Sequence, residues 1–559
     1  MMKNALIIVV MMLLSVSSLA FTDNKWQADA SGNWNGKWSD VAHWSKGRLP
    51  NLSEDDNAIF DNQDVSYVVE IDGDYVVPGY LKIGDSNPKQ GTGMIAFSGS
   101  GTVRQNQGTL YVYNAREVYV GGEVTIGEVG ALYIFDGGKV NVAGDGSILV
   151  SGDVTISDAT EIHIRDNGRL HGALKVVNAC TEGSFSMSGG LLKCPKSLPV
   201  FPESFEIEVT GGRLCIVGDC LDSRFLPKDG AVFEQIGNGY GTFLTAVPFT
   251  NELSGTYIGT NSSETSGFRF DAFTSIYGGG ELFTDAYIPN STGIVDVSRL
   301  GIGTRFYPQS YSFVSYPADM TISAYGDYSN PGTYDSAKAG ISQFAGQVVF
   351  DTCNAFNRTT RHSTVFTGLS ETPGFGFRVT GGGEHTMYLK GIEPRMPAIR
   401  NVSVDSDTAL VIHESSVAKE IRADALELGL NSSLDYRASR NTIDAVDTHV
   451  EANASVTVNM NGLSASDSNG TRVRPIFMTT TGEVPELSQF TFNNLSGWEV
   501  KNVDGVIYAK STTQETNTNP SKWRWTGLKG NDWSEGGNWA VNEDSVPGTD
   551  EGRSFLPAG

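Results

Sequence analysis

Four residues set the sharpest chemical hypothesis in this chain: Asp351, Arg358, Arg361 and His362, an acid, two guanidiniums and an imidazole close together in one stretch. That set suits lyase or glycosidase chemistry on a polysaccharide, where a carboxylate or imidazole handles a proton and cations steady developing charge. A solvated charged loop is the plainer account of the same residues. The indoles of Trp34, Trp38, Trp44, Trp533 and Trp539 offer a second hypothesis, because exposed aromatic faces stack on sugar rings. The competing role for them is to cover apolar surface at the end of a repeat array, and that role is favoured.

The remaining candidates are weaker. The seven histidines, at 43, 163, 171, 362, 385, 413 and 449, include no pair at the four-residue spacing of a zinc-binding helix, and His413-Glu414 lacks a second imidazole. No metal site is expected. Acidic turns at Asp55-Asp56-Asn57, Asp61-Asn62 and Asp72-Gly73-Asp74 are where Ca2+ would be sought, yet they lack EF-hand spacing and read as ordinary Asx turns. No cofactor is expected. Cys180, Cys194, Cys215, Cys220 and Cys353 are an odd number, so disulfides and small buried thiols are both open readings. Carboxylate pairs abound in an acidic chain and carry no weight without geometry, so no residue set is assigned a catalytic role.

The compartment and partners follow from the N-terminus and the charge. Lys3 precedes an apolar run from Ala5 to Leu14 and small residues ending at Ser18-Leu19-Ala20, which is the layout of a secretory signal peptide. The run is shorter than the roughly 20 residues that span a bilayer, and no comparable run follows. The mature chain is therefore expected without a transmembrane helix, secreted or held at the outer cell surface. With 64 acidic against 40 basic residues and a net charge of −24, it is a poor match for nucleic acid. Polysaccharide or cell-surface glycans are the expected partners.

The elements that position these residues are short strands. Gly accounts for 65 of 559 residues, charged residues are 19%, and runs such as Tyr67-Val68-Val69-Glu70-Ile71 and Thr109-Leu110-Tyr111-Val112-Tyr113 alternate with the period of a half-buried strand. Glu123-Val124-Thr125-Ile126 and Asp153-Val154-Thr155-Ile156 suggest a repeat of thirty, and the glycines before strands, Gly108, Gly138, Gly168, Gly190 and Gly212, advance by 30, 30, 22 and 22. Leu410, Leu434 and Val456 head similar strands with steps of 24 and 22. One such coil cannot bury its apolar side alone, so coils must stack. The expected fold is all-β, a right-handed parallel β-helix, with Trp-rich motifs at its ends. Val417 to Leu428 is the best candidate for a helix and reads equally well as strands, while Tyr307 to Tyr334 reads as a long loop.

The Trp motifs are duplicated. Trp26, Trp34, Trp38-Ser39-Asp40, Trp44, Pro50 and Phe60 are echoed by Trp523, Trp525, Trp533-Ser534-Glu535, Trp539, Pro547 and Phe555, and the inner pair is six apart in both copies. Followed by strands such as Leu81-Lys82-Ile83-Gly84 and Val124-Thr125-Ile126-Gly127, the motif resembles the autotransporter-like, β-helical surface proteins of Gram-negative bacteria. The resemblance implies an extracellular passenger and supplies no catalytic residues; the family's translocator barrel is not expected in the residues after the second motif, which reads either as a terminal cap or as a truncated further unit.

The expected organisation is a signal peptide (1–20), an N-terminal Trp-rich motif (21–62), regular coils (63–230), less regular coils with long excursions (231–400), coils and a closing segment (401–510), a linker (511–522) and the second Trp-rich motif (523–559). The expected function is a structural or adhesive surface solenoid presenting loops to glycans or other cells. The alternative is a polysaccharide-active lyase or glycosidase, or a carbohydrate-binding protein.

Overall fold

A computed structural model describes most of residues 21–236, segments of 241–512, and the strands Arg524–Trp525 and Trp539–Ala540. Segments left out include 1–20, 51–55, 62–64, 85–92 and most of 513–559. The expected signal peptide and linker therefore fall outside the described residues, apart from 511–512. Nearly every described element is a strand, and the chain divides into two compact units, Met1–Thr265 and Ser266–Gly559.

In the first unit three parallel ladders form the three faces of a solenoid. Face A stacks Tyr67–Ile71, Met94–Gly99, Glu117–Val120, Lys139–Val142, Thr160–Ile164 and the first halves of Gly183–Cys194 and Phe205–Val217. Face B contains Thr102–Arg104, Thr125–Val129 and the first halves of Ser147–Ile156 and Arg169–Val176. Face C contains Thr22–Lys25, Asp56–Phe60, Leu81–Ile83, Thr109–Val112 and Ala131–Ile134. Alternation decides which side chains enter the core: Tyr67, Val69 and Ile71 are buried while Val68 and Glu70 are exposed. Stacking then places Val120, Val142, Ile164, Met187 and Val209 above one another, each essentially inaccessible. At about 1.5–3 kcal/mol per fully buried apolar side chain, inner files of this kind stabilise the stack strongly.

The coil length corrects the sequence reading. Ile126 pairs with Ile148, and Val154 pairs with Leu132, so both steps are 22. The apparent repeat of thirty compared a strand on one face with a strand on the next. Gly108, Gly138 and Gly168 stand before strands of faces C, A and B respectively and mark three different corners. The true glycine file at one corner is Gly146, Gly168, Gly190 and Gly212, whose main chains touch from coil to coil: Arg169 N–H donates to Gly146 O at 2.9 Å and Leu191 N–H to Gly168 O at 2.8 Å. Gly190 has φ +68°, and a Cβ there would stand 2.1 Å from Gly168 O, so this corner requires glycine.

The second unit is built the same way. One ladder carries Leu300, Ile322, Phe350, Val379, Val404, Leu428 and Val450 in successive register. Its steps of 28, 29 and 25 between Ile322, Phe350, Val379 and Val404 explain why the middle of the chain shows no ruler: the strands stay in register while the corners vary. Leu434 pairs with Val458, two residues beyond the expected strand head Val456. Tyr307 to Tyr334 holds the strands Ser312–Tyr316 and Met320–Ala324 and part of Thr333–Asp335, so it is not a single loop. Glu420–Leu428 is a strand, which settles the helix candidate. Asp407, Asn431 and Asn453 adopt φ of 58°, 55° and 64°, so short polar side chains serve at turns here as glycine does elsewhere. The antiparallel hairpin Trp498–Val503 with Val506–Ser511 also pairs antiparallel with Ile476–Thr480. Among the described residues, no helix is long and apolar enough to cross a membrane.

Candidate functional site

The indoles of the first Trp motif face inward. Trp38 and Trp44 are 0% and 1% exposed, and Trp26 is equally buried. Trp26 and Trp44 form an antiparallel bridge, the Trp44 indole donates from Nε1 to Trp38 O at 3.0 Å, and both Trp38 and Trp44 pack on Phe60. His43 stacks on Trp26 at 4.7 Å, and Trp38 reaches Tyr75 of the solenoid. Trp38 and Trp44 thus offer no ring face to a sugar; only Trp34, half-buried beside Tyr67, keeps part of its surface. In the second motif Trp525 pairs antiparallel with Trp539, the same relation as between Trp26 and Trp44, which adds backbone evidence for duplication. Trp533 and the side chain of Trp539 lie outside the described residues.

The mixed-charge cluster is divided between ladders. Asp351 sits in Gln347–Asn354 and pairs with Arg299 at 3.3 Å. Arg361 and His362 belong to Arg361–Thr367, whose partners are Glu384 and His385 in a different ladder. Arg358 and the side chains of Arg361 and His362 are outside the described residues.

The acidic turns have protein partners. Asp56 is fully buried and receives hydrogen bonds from Lys46, Arg48 and Thr22. Burial alone would raise its pKa, but these donors outweigh it and hold the carboxyl below its usual value. Asp61 pairs with Lys25 at 2.6 Å, and Asp72 accepts from Ser39 and Tyr75. Among the described residues no group of three His, Cys, Asp or Glu side chains gathers to hold a metal ion. Cys180, Cys194, Cys215 and Cys220 are free thiols, and burial raises the pKa of each. They are therefore poor nucleophiles.

The site that stands out is one the sequence reading missed, on the outward side of face A. Because consecutive coils are in register, Glu117, Lys139 and Glu161 stand above one another, and Tyr119, Asn141, His163 and Ser186 form the adjacent file. With Arg165 and Ser188, all of these except Tyr119 line a half-open groove of about 360 Å³, within the size range of ligand sites. Lys139 Nζ lies 2.7 Å from Glu161, His163 Nε2 lies 3.4 Å from the same carboxylate, and His163 Nδ1 lies 2.6 Å from Ser186 Oγ. Asn141 donates from Nδ2 to Glu117 at 3.2 Å, and the Arg165 guanidinium lies 5.8 Å from the Tyr119 ring centre.

Two features separate this groove from an ordinary charged surface. Asn141 is 7% exposed, and its Oδ1 has no hydrogen-bond partner among the described residues. Leaving an amide oxygen both buried and unbonded costs about 1–3 kcal/mol. Glu161, in turn, would be raised by burial, but its bonds to Lys139 and His163 prevail and lower its pKa. It is thus an anion at neutral pH and a poor proton donor there.

No family model matches the chain, nor does any curated protein or solved structure.

Proposed function

We propose that this chain is an exported surface protein that binds carbohydrate along the outer side of its solenoid, with the face A groove as the binding site and the Trp-rich motif as a structural closure. The observation that carries this reading is the groove itself: a buried amide with an unmet oxygen, flanked by carboxylates, an imidazole, serines and two cations. Such a set of fixed donors and acceptors suits sugar hydroxyls, which both donate and accept. Export and surface location rest on the N-terminal residues alone. The test is affinity electrophoresis of the mature chain through gels containing soluble polysaccharides. Retardation that is lost in Glu161→Gln and His163→Ala, with the fold intact by circular dichroism, supports the reading. Unretarded migration on every polysaccharide, or retardation indifferent to both changes, rejects it.

A polysaccharide-cleaving enzyme is the second reading, favoured by one observation. Glu117 and Glu161 are two coils apart, roughly 9.6 Å at the usual strand spacing, near the separation used by inverting glycosidases. Against it, Glu161 is held as an anion, whereas such chemistry needs one carboxyl kept protonated. New reducing ends or unsaturated products after incubation with a retained polysaccharide would establish turnover.

A further inference from the structure

We infer that the face A groove selects an uncharged, polyhydroxylated chain, and that Glu206 and Glu208 turn polyanions away. This rests on the carbohydrate reading of the groove and adds its ligand class.

The charge balance gives the first part. Two carboxylates, Glu117 and Glu161, face two cations, Lys139 and Arg165: Lys139 pairs with Glu161, Asn141 bonds Glu117, and the exposed Arg165 lies against the Tyr119 ring beside the groove. An acidic group that reached Lys139 would have to break the Lys139–Glu161 pair and would leave Glu161 unmatched, a costly exchange in a half-open site. Hydroxyl groups need no such exchange, because they can donate to carboxylates and accept from the imidazole or ammonium group without moving a charge.

The lining runs over four coils, from Glu117 through Lys139 and Glu161 to Ser186, or roughly 14 Å at the usual strand spacing. Across the strands it reaches from Glu161 through His163 to Arg165, roughly 13 Å at the usual rise per residue. The opening is thus about as wide as it is long.

The next coil supplies the selectivity. Glu206 pairs in register with Ser184 and Glu208 with Ser186, and both glutamates are exposed. They extend the two outward files of the groove as a pair of carboxylates at its Ser186 end. A chain carrying carboxylates or sulfates that leaves the groove at this end would meet them, and their repulsion would be strongest at low salt.

The mature full-length chain would be tested on immobilised neutral polysaccharides (an unsubstituted glucan, a mannan, a xylan) and acidic ones (polygalacturonate, alginate), at low and high salt. The expected result is retention on at least one neutral polymer that is insensitive to salt, and retention on acidic polymers at least about tenfold weaker at low salt. The Glu206→Gln, Glu208→Gln double variant should strengthen retention on the acidic polymers. Tighter binding to an acidic polymer by the unaltered chain, abolished by Asn141→Leu, would overturn the ligand class while keeping the carbohydrate reading. An unchanged acidic response in the double variant would overturn the role of these two glutamates. Failure to bind any polymer would overturn the carbohydrate reading itself.

Discussion

Replacing Trp44 and Trp38 one at a time separates their contributions with unusual clarity, because their rings are equally buried but their indole N–H groups are not equally satisfied. Trp44 donates to Trp38 O, whereas Trp38 Nε1 has no partner among the described residues. Trp44→Ala removes a ring packed on Trp26, Trp38 and Phe60 and should cost about 3–5 kcal/mol. Trp44→Phe keeps most of the ring but strands the buried carbonyl of Trp38, adding about 1–3 kcal/mol to a modest cavity cost. Trp38→Phe makes a similar cavity but removes a desolvated donor, so it should be the milder change. The assay is urea unfolding of the mature chain followed by tryptophan fluorescence, comparing midpoints at equal slope. Equal losses for the two Phe variants would refute the hydrogen-bond argument. Loss of glycan retention in Trp44→Ala without loss of stability would refute the closure role altogether.

Three further outcomes follow from other parts of the fold. Gly190→Ala places a methyl group against Gly168 O at positive φ and should destabilise the first unit by at least about 1–2 kcal/mol, measured by thermal unfolding, whereas an exposed substitution such as Glu128→Gln should change little. Arg224 binds Asp222 and the carbonyls of Phe201, Pro202, Glu203 and Phe205, so Arg224→Ala should cost about 3–5 kcal/mol, and Arg224→Lys should restore little of it because one ammonium cannot reach so many acceptors. Asp56 has a lowered pKa, so its stabilising effect is complete above the unfolded value near about 3.9 and fades as pH falls through the folded value. Acid titration should therefore loosen the Trp-rich motif below about pH 4, and Asp56→Asn should weaken the motif at neutral pH and flatten that acid response.

The strands were legible in the sequence because burial follows a period of two, as in Tyr67–Ile71, and the stacking was legible because Gly168, Gly190 and Gly212 mark a single corner. The groove was not, and the reason is the ruler. A spacing of 30 between Gly108, Gly138 and Gly168 mixed three corners, which moved Glu117, Lys139 and Glu161 out of alignment, although they are 22 apart and stand in one file. Surface chemistry on a solenoid is made by residues a full coil apart, so an error in coil length hides it. For the Asp351 cluster, nearness in sequence is a weak guide for the same reason: Asp351 pairs with Arg299, 52 residues away, while Arg361 and His362 are paired in another ladder. The Trp motifs were visible as duplications, yet which indoles were covered depended on Phe60 and Tyr75, contributed by strands beyond the inner Trp pair.

Hydrogen–deuterium exchange of the mature chain with and without a retained neutral polysaccharide tests the central claim most directly. Ligand-dependent protection should appear in the adjoining strands Glu117–Val120, Lys139–Val142, Thr160–Ile164 and the first half of Gly183–Cys194, with exchange in Trp26 to Trp44 unchanged. Protection confined to the Trp-rich motif, or to the strands bearing Asp351 and Arg361, would contradict it.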